Sequence, residues 1–279
     1  MEFFHALLQP DNTFLRLSLA VGLAASIAFG IIGTYVVTRR ISYLAGAVSH
    51  CVLGGIGLSL WLASTGVLKN IDPVYGALAA ALLAAFIIGR FGRRPGQREE
   101  TMIGATWAIG MALGIIFIDL TPGYFDLASY LFGDILLVAK PDLMRILVLD
   151  AIIILFAAVF YHQLLAVCFD EEFARLRGLR VEFYYQALLA LTAVTVVLMI
   201  RVVGIVMVIA MLTLPAATGA LFARRLVEMM LLAILFAAIA AVAGLMISYN
   251  ANLSSGPVIV MVSGIIYMTA AGFKKLITS

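Results

Sequence analysis

The sequence predicts an all-α integral membrane protein, a polytopic bundle of about nine (eight to nine) transmembrane helices with a short cytoplasmic helix, on three observations. Hydrophobic residues make up 64% of the chain and charged residues 12%, with a mean hydropathy of +1.13. No water-exposed globular surface tolerates that balance. Apolar runs of bilayer length, which need about 20 residues each, recur along the whole chain. Lys and Arg gather in alternate connections, the pattern that orients spans in a membrane. The connections are too short for a second globular domain, so residues 1–279 read as one transmembrane domain.

Residues 1–13 hold Glu2 and Asp11 without Lys or Arg. The apolar run behind them is too long for a signal peptide, so this start is expected to remain in the mature protein. Candidate spans fall at about 14–38, 43–62, 73–91, 101–119, 143–165, 184–200, 203–223, 227–249 and 256–272. The seam at Arg201 to Gly204 has almost no loop, which leaves eight spans plus a re-entrant element open. Arg39 and Arg40, Arg90 to Arg98, Arg175 to Arg180, Arg224 and Arg225, and Lys274 and Lys275 fall on one side. Arg16, Lys69, Lys140, Arg145 and Arg201 fall on the other. The larger group marks the cytoplasm, so the N-terminus is expected outside and the C-terminus inside. Nine spans satisfy this pattern.

Two connections are longer. The outer one, 119–142, carries Asp119, Asp126, Asp134 and Asp142, and its centre, 127–138, is too short to span. A half-helix or an interfacial helix is expected there. The inner one, about 167–183, contains Asp170-Glu171-Glu172-Phe173-Ala174-Arg175-Leu176-Arg177-Gly178. Asp170 suits an N-cap, the acids the first turn, the arginines the last and Gly178 the C′ position, which predicts a short amphipathic surface helix.

The most informative position is His50, in the middle of the second span. Gly46, His50, Gly54 and Gly57 lie on one helix stripe, at spacings of four, four and three. An ionisable group in lipid is costly and normally faces a bundle interior or a water-filled path. Two readings are open: an imidazole that bonds a neighbouring carbonyl, or a metal or proton contact on a permeation path. Ser49 and Cys51 point about 100° away along the helix and do not readily share an ion with it. Asp150 lies about two turns inside its span, where snorkelling outward or pairing with a polar neighbour is the expected role. His162 sits near a span end and reads as interfacial. Pro215, flanked by Thr213 and Thr218, marks either passive irregularity or a hinge beside a path. Gly104, Gly110 and Gly114 in span four, and the alanines of span eight, allow close helix packing.

Enzyme function is not expected. The chain has no His-Glu-x-x-His motif, no serine and base in workable geometry, and no phosphate loop, so any nucleotide hydrolysis belongs on another chain. Cys51 and Cys168 do not form a disulfide framework.

Three segments in register resemble the membrane permease subunit of the bacterial ABC importers for zinc, manganese or iron(II). They are Ser49-His50-Cys51-Val52-Leu53-Gly54-Gly55, the stretch Phe169 to Leu179, and Leu214-Pro215-Ala216-Ala217-Thr218. The resemblance covers essentially the whole chain and implies a multi-pass protein of the cytoplasmic (inner) membrane. It implies a second permease subunit, identical or related, two cytoplasmic ATPase subunits that hold ATP, and an extracytoplasmic metal-binding protein. It implies membrane lipid around the bundle and no nucleic acid. No cofactor is bound permanently on this reading, and the divalent metal ion, zinc first and manganese or iron(II) next, is cargo. His50 takes the place of the path histidine, with Gly46, Gly54, Gly57 and Pro215 packing around the path. Asp170, Glu171, Glu172, Ala174, Arg175 and Gly178 fall in the helix that couples to the ATPase. The family commonly has an aspartate four residues before this histidine, where this chain has Gly46. Two His50 side chains facing each other across a dimer, below an acidic outer mouth, would give a weak contact that releases its ion quickly. A secondary transporter or channel working without an ATPase is the alternative, although inverted-repeat hydropathy and paired intramembrane charges are not apparent.

Overall fold

The computed structural model describes residues 3, 6, 7, 9, 12–68, 72–92, 99–123, 131, 133, 135 and 138–278, with the side chains of 277 and 278 excepted. Among the described residues, eleven helices follow in chain order: α1 (Thr13–Thr38), α2 (Tyr43–Ser64), α3 (Pro73–Phe91), α4 (Glu99–Asp119), α5 (Lys140–Val159), α6 (Tyr161–Phe169), α7 (Glu171–Leu176), α8 (Val181–Val203), α9 (Ile205–Phe222), α10 (Leu226–Ala251) and α11 (Ser255–Thr278). Eight are long and apolar enough to cross a membrane, and nine if α5 and α6 count together as one broken span. The all-helical, polytopic expectation is met. Glu2, Asp11, Lys69, Arg93, Arg94, Arg98, Asp126 and Asp134 lie outside the described residues, as does most of the segment 127–138.

The span boundaries have local causes. Asp72 caps α3, its Oδ1 accepting from the Val74 amide at 3.0 Å with Pro73 in the first turn. Glu228 accepts from the amides of Arg224 and Arg225 at 2.9 and 3.3 Å and so caps α10. Asp142 accepts from the Ala139 amide at 3.2 Å and pairs with Arg145 at 2.7 Å, so this acid of the 119–142 connection fastens the start of α5. The expected fifth span, 143–165, breaks at Phe160, which separates α5 from α6. The loopless seam after Arg201 resolves into two helices divided by Gly204 alone. Its φ of +80° lies in the left-handed region open to glycine.

Contacts sort the chain into two compact units. One comprises Met1–Arg40, Ala128–Tyr161 and Leu198–Ser279; the other comprises Ile41–Leu127 and His162–Val197. In the first unit α1 packs on α5, α9 and α10, and α9, α10 and α11 pack on one another. Gly22 of α1 lies against Ala241 and Leu245 of α10, Gly30 against Ile234, and Thr38 reaches Met229, so the two helices run antiparallel. Gly33 lies directly against the Leu212 carbonyl of α9, one turn before Pro215. In the second unit α2 is sandwiched between α3 and α4. Leu83 and Phe86 of α3 and Ile109 and Ile116 of α4 remain exposed. Apolar side chains on an outer face are what a lipid solvent requires.

Candidate functional site

His50 sits on α2 in the second unit, and the stripe around it is a helix contact. Where Gly46 lacks a side chain, the Trp107 ring of α4 fills the space: a Cβ added at Gly46 would lie 2.6 Å from Cζ3 of that ring. Further along, a Cβ on Gly54 would lie 2.9 Å from the Gly110 carbonyl oxygen, and one on Gly57 2.8 Å from that of Gly114. The Cys51 thiol donates to the Thr106 carbonyl at 3.3 Å. These pairs rise together along both helices, so α2 and α4 run parallel, as two spans separated by a single crossing must. On α4 the matching stripe is Ile103, Trp107, Gly110 and Gly114, at spacings of four, three and four. Gly54 and Gly57, read as packing at a path, thus meet Gly110 and Gly114 of the span-four surface, while Gly46 meets Trp107 and a Cβ at Gly104 would meet nothing within 4 Å.

The imidazole is held by stacking. The rings of His50 and Trp107 lie 4.9 Å apart, inclined by 19°. Nδ1 of His50 is buried and has no hydrogen-bond partner among the described residues, and the same holds for the neighbouring Ser49 hydroxyl. The side chain of His50 as a whole keeps partial exposure. No group of three or more His, Cys, Asp or Glu able to hold a metal ion together occurs among the described residues. The donor available at this point is therefore one imidazole nitrogen per chain. Trp107 was missed in the sequence, where the only signal was its place one helical turn before Gly110 on the small-residue face.

The other candidate positions are spread over the molecule. Pro215 stays inside a continuous α9 in the first unit, and is buried. Thr213 donates to Ile209 and Ala210 carbonyls at 2.9 and 3.3 Å, and Thr218 to Leu214 at 2.8 Å. Proline at 215 frees the carbonyl of Met211, so neither threonine serves the oxygen that Pro215 leaves unbonded. Asp150 is 3% exposed with both carboxylate oxygens buried, which rules out the snorkelling reading. His162 is exposed on α6.

The short helix α7 forms where its sequence places it. Oδ1 of Asp170 accepts from the Phe173 amide at 2.9 Å, Glu171 and Glu172 occupy the first turn and Arg175 the last. The Gly178 amide donates to Arg175 at 2.9 Å and the Leu179 amide to Ala174 at 3.0 Å, a Schellman ending made possible by the Gly178 φ of +76°. Ala174 is buried and anchors the helix, while Phe173 and Leu176 are exposed. The Arg177 guanidinium lies over the Phe173 ring at 5.2 Å, and Arg175 reaches Glu182 of α8 at 3.9 Å.

The family model described as the ABC 3 transport family matches residues 11–274. The chain belongs to the ABC 3 transport family. A chain 34% identical, over 97% of this chain and 93% of its own length, is the manganese transport system membrane protein MntC of Listeria monocytogenes. Another, 39% identical over 94% of this chain and 91% of its own, is an uncharacterised membrane protein of Synechocystis sp.. The solved structure of PsaBC from Streptococcus pneumoniae in complex with Fab superposes with a TM-score of 0.83 at 34% identity. It covers 96% of this chain and 94% of that one. The ABC 3 chain is thus a multi-pass membrane permease subunit and not an enzyme; ATPase activity in this family lies in separate partner subunits.

Proposed function

We propose that this ABC 3 permease forms, as a dimer with an identical or related chain, the path of an ATP-driven importer of divalent transition metal ions. Zinc is the first cargo and manganese or iron(II) the next, and His50 provides a transient contact. The observation that carries this reading is the imidazole of His50 inside a span, partly exposed and with its ring stacked on Trp107, in a chain of this family. A lone nitrogen donor suits zinc better than the harder manganese. The name of the Listeria relative keeps manganese in the comparison. A single donor per chain holds an ion weakly, and passage requires weak binding because a tight site would trap it.

On this reading α7 docks on the ATPase subunits through its exposed Phe173 and Leu176, with Asp170, Glu171, Glu172, Ala174, Arg175 and Gly178 fixing its shape and charge. An extracytoplasmic binding protein delivers the ion on the side of the N-terminus, and the C-terminus lies in the cytoplasm.

The test is uptake of zinc and of manganese into proteoliposomes that carry the permease with its ATPase and binding protein. Uptake is expected to need ATP and to fall about tenfold or more at limiting metal in His50→Ala, the loss typical of a group acting on a metal. Unchanged uptake in that variant would remove His50 from the path. Uptake without the ATPase would favour a secondary transporter or channel.

A further inference from the structure

Metal-binding histidines are normally oriented by a hydrogen bond from the second ring nitrogen to a carboxylate, a carbonyl or water. In His50 the buried Nδ1 has no carboxylate or carbonyl partner among the described residues. Its ring is held instead by the parallel face of Trp107 at 4.9 Å. Stacking engages the π face of an imidazole, whereas a metal is bound by a lone pair in the ring plane. A stacked indole can therefore fix the plane of the ring without occupying its donor.

Trp107 reaches this position only because residue 46 is glycine. Atoms Cζ3 and Cη2 of the indole lie 2.6 and 2.8 Å from where a Cβ at Gly46 would be, and real Cβ atoms are not found that close to a neighbour. Position 46 is one turn before His50 on the same face of α2, where a second ligand side chain would stand beside the imidazole. The indole fills that volume. We infer that Trp107 is a positioning residue for His50, and that the Gly46–Trp107 pair excludes a second ligand from this face and biases the contact toward ions that favour nitrogen.

This inference rests on the importer reading, and one set of variants separates the two. Zinc and manganese uptake by the assembled importer is measured for wild type, His50→Ala, Trp107→Ala, Trp107→Leu, Trp107→Phe, Gly46→Asp and the double variant Gly46→Asp/Trp107→Ala. Each is normalised to the amount of permease in the membrane. Trp107→Ala and Gly46→Asp are expected to raise the zinc KM about tenfold or more, the loss typical of an orienting group. Trp107→Phe, which keeps an aromatic face, is expected to stay near wild type. The double variant should regain uptake, with its zinc-to-manganese ratio shifted toward manganese, because a carboxylate oxygen suits that ion.

If Trp107→Ala fails to accumulate, Trp107→Leu, which keeps apolar bulk without a stacking face, must show the raised KM. Wild-type kinetics in Trp107→Ala or Trp107→Leu, or in Gly46→Asp, would overturn the inference. So would a double variant no better than its single parents. Loss of uptake in His50→Ala beside normal Trp107 variants would overturn this inference alone, while wild-type uptake in His50→Ala would overturn the path reading beneath it.

Discussion

Two parts of the second unit carry candidate function, and they are built in opposite ways. The α2–α4 seam is made by side chains that are missing: Gly46, Gly54 and Gly57 on one helix, and Gly110 and Gly114 on the other, bring backbones within contact and leave one imidazole against one indole. Helix α7 is made by side chains that are present: Asp170 caps it, Gly178 ends it and Ala174 pins it down. In lipid, helices have little hydrophobic reason to associate, so close packing of small residues supplies the attraction and every added atom is felt. A helix of six residues that buries only Ala174 gains little by packing and depends on its caps. The seam should therefore tolerate almost no change in volume, and α7 should respond in proportion to each hydrogen bond lost.

The largest effect expected follows from adding bulk to the seam. Gly54→Leu places a side chain against the Gly110 carbonyl, and Gly110→Leu places one against the Cys51 backbone, whose Cα would lie 2.8 Å from the new Cβ. Each is expected to destabilise the unit by about 2 to 3 kcal/mol, the cost of overpacking. Thermal stability of the purified permease measures this, and a melting temperature within experimental error of wild type would break the contrast at its strong end.

How much of this was visible in the sequence follows the same division. Eight of the nine apolar segments matched single helices in order, and the fifth a bent pair, because hydropathy is a property of each segment alone. The ends of α7 were legible to the residue, since Asp170 and Gly178 act on amides only a few positions away. The break at Phe160 was not, because no Gly or Pro marks it and the run from Phe156 to Phe160 stays apolar. At the seam both glycine stripes were seen, but nothing in α2 could disclose that Gly46 leaves room for a tryptophan from a distant helix. Register between helices depends on how two faces fit, and periodicity reports one face at a time.

At α7 the effects should be smaller and local. Gly178→Ala forces a Cβ into a conformation with φ of +76°, at a cost of about 1 to 2 kcal/mol. Asp170→Ala removes the bond to the Phe173 amide and costs about 1 kcal/mol. If α7 couples the permease to its ATPase, both variants are expected to lower metal-stimulated ATP hydrolysis in the assembled importer while leaving the melting temperature of the permease nearly unchanged, because the seam is untouched. A fall in melting temperature as large as that of Gly54→Leu would mean that α7 is part of the core and that the two regions do not differ as described.

The smallest effect tests whether the seam depends on glycine as such or on the particular glycines that meet α2. Gly104 lies on the same helix as Gly110 and Gly114, yet a Cβ added there meets nothing within 4 Å. Alanine at 104 should therefore cost no packing and gain helix propensity, by at most about 1 kcal/mol. Gly104→Ala is expected to keep wild-type uptake with a melting temperature unchanged or slightly raised. A loss of uptake in a protein that melts normally would instead show that this face of α4 meets something outside the chain. The second permease subunit would then be the first partner to examine, by cross-linking from position 104.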